Sequence, residues 1–253
     1  MRLTSLLAPA LLFFLAASPL RADEEVVLSS SALASKMAAA VQDGSATARV
    51  RMKSADGTVL QVQIKSRRGE ARAEVAYEVL WPAERKGESF VLRQSAGNQP
   101  EGDTFNPPDQ RASLARPQLG DGVFGTELSY LDTIENFFLW PDQQTAGREV
   151  VDRVDCVILE SNPPRGAEGR VRSWIDPRKM VVMRVEKYDA GGRLLRTITT
   201  TQVAKDDIGR YVSAGLKVTQ SSGATTDIDG SNIRHDVKLT DADFEVGAKK
   251  SAP

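Results

Sequence analysis

The sequence predicts a mainly β protein with a few helices, and three stretches of the chain carry that prediction. Residues 170–201 predict three consecutive strands, with turns at Asp176–Lys179 and Asp189–Gly192. Residues 48–92 predict four more strands, because apolar and charged residues alternate there. Residues 123–140 interrupt the strands with apolar and aromatic residues at helical spacing. We therefore expect one domain built on an antiparallel sheet that buries one of its faces.

The beginning of the chain predicts a secretory signal peptide, which we assign to residues 1–22. Arg2 precedes the apolar run Leu6–Ala17, and Leu20–Ala22 provides the cleavage site. No Cys lies near that site, so we expect an exported, periplasmic protein that is not lipidated. The folded domain is expected to span residues 23–246, and residues 247–253 should form a flexible tail.

Composition excludes several classes of function. The formal net charge of −1 gives no indication of nucleic-acid binding. With one Cys and one His, the chain has no intrachain disulfide and no zinc site of the usual kind. Cys156 lies in a predicted strand, which favours a buried structural thiol over a nucleophile. No recognised catalytic motif is present, although a carboxylate pair of the glycosidase type stays open, so we predict no catalytic residue, no metal and no cofactor.

The last strands follow a clear pattern with one apparent interruption. Residues 145–151, 154–161 and 211–220 are predicted strands, and residues 225–239 are predicted as a strand interrupted at Asp229-Gly230. The carboxylates of Asp227–Gly230 superficially suggest calcium. The rest of an EF-hand loop is missing, so the sequence favours a turn.

Two apolar segments are candidates to cover the dry face of the sheet. In residues 29–42, Leu33, Met37 and Val41 share one helical face, which either packs as plain core or also lines a ligand cavity. Residues 123–140 form either a core plug or a lid over an apolar cavity. With the inward residues of the strands, the candidate cavity and lid residues are Leu33, Met37, Val41, Val50, Met52, Val62, Ile64, Tyr77, Val79, Phe90, Leu92, Phe124, Leu128, Tyr130, Leu131, Ile134 and Phe138.

Four segments of the chain resemble the LolA-like outer-membrane lipoprotein-sorting proteins, in the same order and over most of the mature chain. They are residues 77–93, 124–132, 154–161 and 174–198. The resemblance implies an incompletely closed antiparallel β-barrel, a half-barrel, which wraps around helices and receives acyl chains on its apolar concave face. The Pro- and Gln-rich residues 94–122 depart from the family's hairpin at this position.

The resemblance and the residue pattern together leave two main functions and a weaker third. The first is a periplasmic carrier or chaperone that binds the acyl chains of lipoproteins, or another amphiphile, for transport towards the outer membrane. The resemblance then implies an inner-membrane transporter and an outer-membrane acceptor as partners. The second is a non-catalytic regulatory or assembly domain of the same fold, which binds a membrane-protein partner and fills its own cavity. An enzyme is the third.

Overall fold

The main body of the protein is a 13-stranded antiparallel sheet that does not close on itself. The computed structural model describes residues 28–41, 44–163 and 169–247, so the predicted signal peptide and residues 248–253 of the predicted tail lie outside the described residues. The strands are β1 (Gly44–Ser54), β2 (Val59–Arg68), β3 (Arg72–Trp81), β4 (Ser89–Ser95), β5 (Glu101–Asn106), β6 (Gln110–Ser113), β7 (Asp142–Val151), β8 (Val154–Asn162), β9 (Val171–Asp176), β10 (Val181–Tyr188), β11 (Leu194–Lys205), β12 (Tyr211–Gln220) and β13 (Thr225–His235).

The order of the strands explains why a helical segment crosses the sheet. The order is β6-β5-β4-β3-β2-β1-β13-β12-β11-β10-β9-β8-β7, so the first and last strands are neighbours in the middle. Consecutive strands β6 and β7 lie at opposite edges. The chain between them, residues 114–141, therefore has to pass from one edge of the sheet to the other. This arrangement confirms the predicted mainly β, incompletely closed architecture with helices on one face.

The predicted strands and turns agree with the structure over most of the chain. The meander of residues 170–201 forms β9, β10 and β11, and the four strands predicted over residues 48–92 form β1 to β4. The β1–β2 turn shows the local cause. Gly57 has φ +88°, which glycine adopts without steric cost, and the Asp56 carboxylate accepts a 2.9 Å hydrogen bond from the Thr58 N–H.

The first helix, α1 (Ser30–Val41), follows the predicted apolar face. The Ser29 side chain accepts a 3.2 Å hydrogen bond from the Ala32 N–H at the start of the helix. Leu33 and Met37 are buried, whereas Val41 at the last turn is partly exposed. The amphipathic pattern thus predicts both the helix and the side that it buries.

The expectation of one helix over residues 123–140 is wrong. The segment contains a 3₁₀ turn at Val123–Gly125, a short helix α2 (Tyr130–Ile134) and a second 3₁₀ turn at Phe137–Leu139. Gly125, with φ +80°, ends the first turn. Ser129 then starts α2 as an N-cap, accepting a 3.2 Å bond from the Asp132 N–H while the Asp132 carboxylate accepts one of 2.9 Å from the Ser129 N–H.

The expected turn at Asp227–Gly230 is also wrong, because β13 runs through it without interruption. Asp229 pairs with Arg51, and Gly230 pairs with Val50 in the ladder between β1 and β13. A side chain at Gly230 would begin 3.0 Å from the Ala214 carbonyl oxygen on β12. The glycine thus permits close approach of the neighbouring strand rather than a reversal of the chain.

Glu74 departs from the simple alternation of a buried inner face and a solvated outer face. It is buried, and the C-terminal 3₁₀ turn Asp241–Phe244 packs over this outer side of the sheet. The Glu74 carboxylate accepts hydrogen bonds from Arg67, whose guanidinium also lies 4.9 Å from the Phe244 ring centroid. Strand alternation could not show this cover, because it comes from residues far along the chain.

The inner face of the sheet is packed in two apolar clusters. The first apolar cluster lies on β1–β4, β12 and β13, with Phe90 and Leu60 fully buried. The second apolar cluster joins α1 to β8, β9 and β10 around Leu33 and Ile175, together with Phe137 and Phe138. Residues 114–141, which we call the crossing segment, contribute to both clusters and so tie the two halves of the sheet together.

Candidate functional site

A cavity of about 720 Å³ opens on the inner side of the sheet and takes its walls from both halves. One wall is formed by the β2–β3 and β4–β5 turns, and the other by the starts of β9 and β11 and the end of β10. The crossing segment lies between them. Eight large apolar side chains contribute to the lining: Val41, Leu119, Leu131, Ile134, Leu139, Trp140, Val171 and Leu195. The volume lies within the range of small-molecule sites.

The polar part of the cavity is a buried group of charges, which we call the charged cluster: Asp132, Glu135, Lys187 and Arg196. Lys187 Nζ lies 2.8 Å from Asp132 Oδ1 and 2.6 Å from Glu135 Oε2. Arg196 Nη1 donates a 2.8 Å hydrogen bond to Asp132 Oδ2. The Asp132 side chain is 1% exposed and that of Arg196 is 10% exposed, so these pairs lie almost entirely out of water.

Burial and charge oppose each other in setting the pKa values of this cluster. Burial alone would raise the pKa of the Asp132 carboxyl, but Lys187 and Arg196 outweigh it and hold that pKa below its usual value. For Lys187, burial disfavours the ammonium, and the two carboxylates reverse the effect and raise its pKa. Asp132 and Lys187 therefore stand as charged partners at neutral pH.

Arg68 holds the end of α2 against the rim of the cavity. Its guanidinium donates hydrogen bonds of 2.6 Å to the Thr133 carbonyl and 3.1 Å to the Ile134 carbonyl. Asn136, two residues further on, donates a 3.3 Å bond to the Ala38 carbonyl of α1. These contacts fix the crossing segment to β2 on one side and to α1 on the other, with the cavity between them.

The sequence-predicted cavity residues fall into two groups in the structure. Val41, Leu131 and Ile134 line the cavity. The others pack within the apolar clusters. Those in or against the first cluster are Val50, Met52, Val62, Ile64, Tyr77, Val79, Phe90, Leu92, Phe124, Leu128 and Tyr130, and those in the second are Leu33, Met37 and Phe138.

The aromatic side chains of the crossing segment divide between the two clusters. Tyr130 meets the Phe90 ring edge-on at 4.8 Å between centroids, and Phe124 lies 5.5 Å from the same ring. Phe137 instead contacts Phe138 at 4.5 Å in the second cluster. They anchor the segment on both clusters, and the cavity is bordered by α2 between these anchors and by Leu139 and Trp140 beyond them.

Sequence reasoning missed the charged cluster. Its members lie far apart in the chain, and no short motif joins them. Lys187 offered one signal, because it stands two residues after Val185 on β10 and both are buried. A charged residue in the buried register of a strand requires a partner. Asp132 offered another signal, because it occupies the N3 position of the capping box that begins at Ser129. A capping role alone, however, would not predict its ion pairs with Lys187 and Arg196.

The single His and the single Cys lie away from this cavity. The His235 ring Nδ1 is 3.3 Å from Asp206 Oδ2 and 3.4 Å from Asp207 Oδ1. Asp206 also accepts backbone hydrogen bonds from Ile208 and Arg210, which marks it as a turn-stabilising residue. Cys156 is fully buried beside Trp174, Val181 and Met183, and burial raises the pKa of its thiol to about 11. The predicted buried structural thiol is confirmed.

Comparison with known proteins gives the family and the fold. A family model described as an uncharacterized-protein-like family matches residues 73–248, more than half of the chain. The chain belongs to this family. Among solved structures, a DUF1329 family protein from Desulfovibrio piger has a TM-score of 0.78 at 23% identity, covering 85% of this chain and 95% of that one.

Two further structures connect the fold to the resemblance found in the sequence. A domain assigned as an outer membrane lipoprotein-sorting protein, from Vibrio parahaemolyticus, has a TM-score of 0.75 at 17% identity over 83% of this chain and 94% of that one. A LolA superfamily protein from Nitrosomonas europaea has a TM-score of 0.64 at 19% identity over 86% and 98%. The predicted LolA-like fold is confirmed.

Two findings complete the comparison. No curated protein matches this chain. Within the described residues, no helix has the length and apolar character needed to cross a membrane.

Proposed function

We propose that the protein is a non-catalytic carrier that binds the apolar chain of a lipid, or the acyl chain of a lipoprotein, in the cavity. The observation that carries the proposal is the cavity itself, with a mainly apolar lining and about 720 Å³ of space on the inner side of a LolA-like half-barrel. Each methylene moved from water into such a site gains about 0.8 kcal/mol. A cavity that shields several methylenes can therefore hold an amphiphile in solution.

The walls of the cavity suit reversible binding. Leu131 and Leu195 are only partly buried, whereas the residues of the two clusters below are closely packed. Ile134 of the first cluster and Val171 of the second also line the cavity, so a ligand there would rest against both clusters. The segment over the cavity is short, and it is held by hydrogen bonds from Arg68 and Asn136 together with the burial of Ile134 in the first apolar cluster.

Native mass spectrometry of the protein purified from its source tests the proposal. We expect a co-purified lipid at a stoichiometry of one per chain, released on denaturation. The absence of lipid, combined with no saturable binding of an environment-sensitive lipid probe, would contradict it.

The site of action follows from the predicted signal peptide. We propose that the chain is exported to the periplasm, is not lipidated, and passes its cargo between an inner-membrane transporter and an outer-membrane acceptor. N-terminal sequencing of the soluble periplasmic fraction should find Asp23 first. A protein retained in the membrane pellet with residues 1–22 intact would contradict this part of the proposal.

A second candidate is a regulatory or assembly domain that binds a membrane-protein partner. It is favoured by the packing of the inner face, because most of the predicted cavity residues contact one another in the two clusters. A partner would then use the outer surface or the strand edges, and no lipid would co-purify. The mass-spectrometry experiment separates the two candidates.

A further inference from the structure

The cavity carries more positive than negative charge. Its lining contains Arg68, Arg72, Arg116, Lys187 and Arg196, against Glu70, Asp132 and Glu135, which is five basic residues against three acidic ones. A carrier of purely apolar chains needs no such groups, since burying a charge is costly unless it is paired. Arg72 is largely exposed and pairs with Glu74 at 2.7 Å, so the buried Lys187 and Arg196 are the basic groups that point to a ligand with an anionic group.

The charged cluster leaves hydrogen-bonding capacity on its basic members. In the part of the chain that the structure describes, Asp132 is the partner found for the Arg196 guanidinium, and Arg196 Nε is buried without one. A guanidinium has several N–H donors in a planar fork that matches carboxylate and phosphate oxygens. Two carboxylate oxygens lie around Lys187 Nζ, and the ammonium group has a third N–H donor.

Apolar side chains stand beside these donors. Leu195 precedes Arg196 on β11, and both line the cavity together with Leu131 and Val171. A molecule with one charged end and one apolar end can therefore place the first on the guanidinium and the second along these walls. A free inorganic anion would use the charges and leave the apolar walls empty.

We propose that the cavity selects an amphiphile with an anionic head group, a carboxylate or a phosphate, and that Arg196, supported by Lys187 and Arg68, receives that head group. This inference rests on the proposed carrier function and names the class of its ligand. When no ligand is bound, Asp132 holds the two buried cations in place. When the head group binds, it shares these cations with Asp132.

Competition against a bound fluorescent probe with a neutral head group tests the inference. The competitors carry the same dodecyl chain and differ in the head: dodecanoate, dodecyl phosphate and dodecanol, each below its micelle concentration, with inorganic phosphate alone as a fourth. For the wild-type chain we expect the two anionic amphiphiles to displace the probe at concentrations about 10- to 100-fold lower than dodecanol, the range of a hydrogen bond to a charged group. Inorganic phosphate alone should not displace it.

Variants of the basic residues complete the test. Arg196→Met should reduce the preference for the anionic heads to within about threefold of dodecanol, and Arg196→Lys should retain part of it. Arg172→Met is the matched control, because Arg172 also pairs with one carboxylate, Glu160 at 2.7 Å, but does not line the cavity. The control should keep the full preference. Melting curves establish that each variant is folded.

The outcomes separate the inference from the proposed function. Equal displacement by all three dodecyl compounds in the wild type would overturn the anionic preference and leave the carrier intact, with the charged cluster serving only to hold α2 on the sheet. Displacement by inorganic phosphate alone would overturn the amphiphile in favour of a free anion. A preference unchanged in Arg196→Met would remove Arg196 from the site. Failure of any amphiphilic probe to bind would overturn the carrier function together with the inference.

Discussion

The inner face of the sheet has two regions that bury their side chains in different ways. In the first apolar cluster, Phe90 stacks on Tyr77 at 4.7 Å between ring centroids, and the cluster is built from apolar and aromatic side chains. Around the cavity, the sheet instead buries Asp132, Lys187 and Arg196 as mutually paired charges. A region that served only stability would be more stable with apolar side chains in place of the charges, because buried ion pairs contribute little to the stability of a fold. The proposed carrier function gives the charged region a role in ligand binding that the packed region does not have.

The largest effect is expected in the first cluster. Phe90→Ala removes a fully buried ring and its contacts with Tyr77 and Tyr130, and should lower the free energy of unfolding by about 3–5 kcal/mol. Urea denaturation measures the change. Trp81→Ala is the control, since Trp81 is 49% exposed and its loss should cost within about 1 kcal/mol. An equal loss in both variants would contradict the assignment of this region as the structural core.

The next effect is expected from removing the central carboxylate. Asp132→Asn leaves Lys187 and Arg196 buried without their shared partner, and should destabilise the fold by about 3 kcal/mol at neutral pH. Chemical denaturation at pH 7 measures it. A change below about 0.5 kcal/mol would mean that solvent reaches the pair and that the region is not buried in solution.

The same variant gives a pH dependence of known sign. The pKa of Asp132 is lower in the folded chain than its ordinary value of 3.8, so its ionised form stabilises the fold. That contribution is present above the ordinary value and is lost as the pH falls through the folded-state pKa. The difference in stability between wild type and Asp132→Asn should therefore be constant from neutral pH to mildly acidic pH and narrow below about pH 4. A gap that stays constant down to pH 2 would contradict the lowered pKa.

Substitution of two leucines in the crossing segment distinguishes a packing role from a ligand-binding role. Leu131 lines the cavity and is partly exposed, whereas Leu128 is buried in the first cluster. Leu131→Ala should cost about 1 kcal/mol and weaken binding of a lipid probe by about fivefold, since a few methylene contacts are lost. Leu128→Ala should cost about 2–5 kcal/mol and leave the affinity of the folded fraction unchanged. The opposite pattern would place the ligand in the packed cluster.

The smallest effect on ligand binding is expected outside both regions. Cys156→Ser places a hydroxyl in the apolar surroundings of Trp174 and Met183 and should cost about 1–3 kcal/mol, without any change in probe affinity. The native thiol should react with maleimide only on unfolding, because it is fully buried and its pKa is raised to about 11. Rapid labelling of the folded protein would contradict this placement.

The sequence predicts the packed region better than the binding region, for a physical reason. Alternation along single strands places Val50, Met52 and Val62 on the inner face correctly, because the two-residue period of a strand is a local property. The charged cluster joins Asp132 to Lys187 and Arg196 across three elements, and only the tertiary fold brings them together. Likewise, propensity predicted a single helix over residues 123–140, while Ser129 and Gly125 divide it locally.

The central claim is that the open region of the inner face, and not the packed region, holds the ligand. A crystal structure of the protein with a fatty acid brominated near its methyl end tests this most directly through the anomalous signal of the bromine. We expect a single bromine peak inside the cavity, among Leu131, Val171 and Leu195, with the carboxylate density near Arg196. A bromine peak on the outer face of the sheet, or within the first apolar cluster with Phe90 displaced, would contradict the claim.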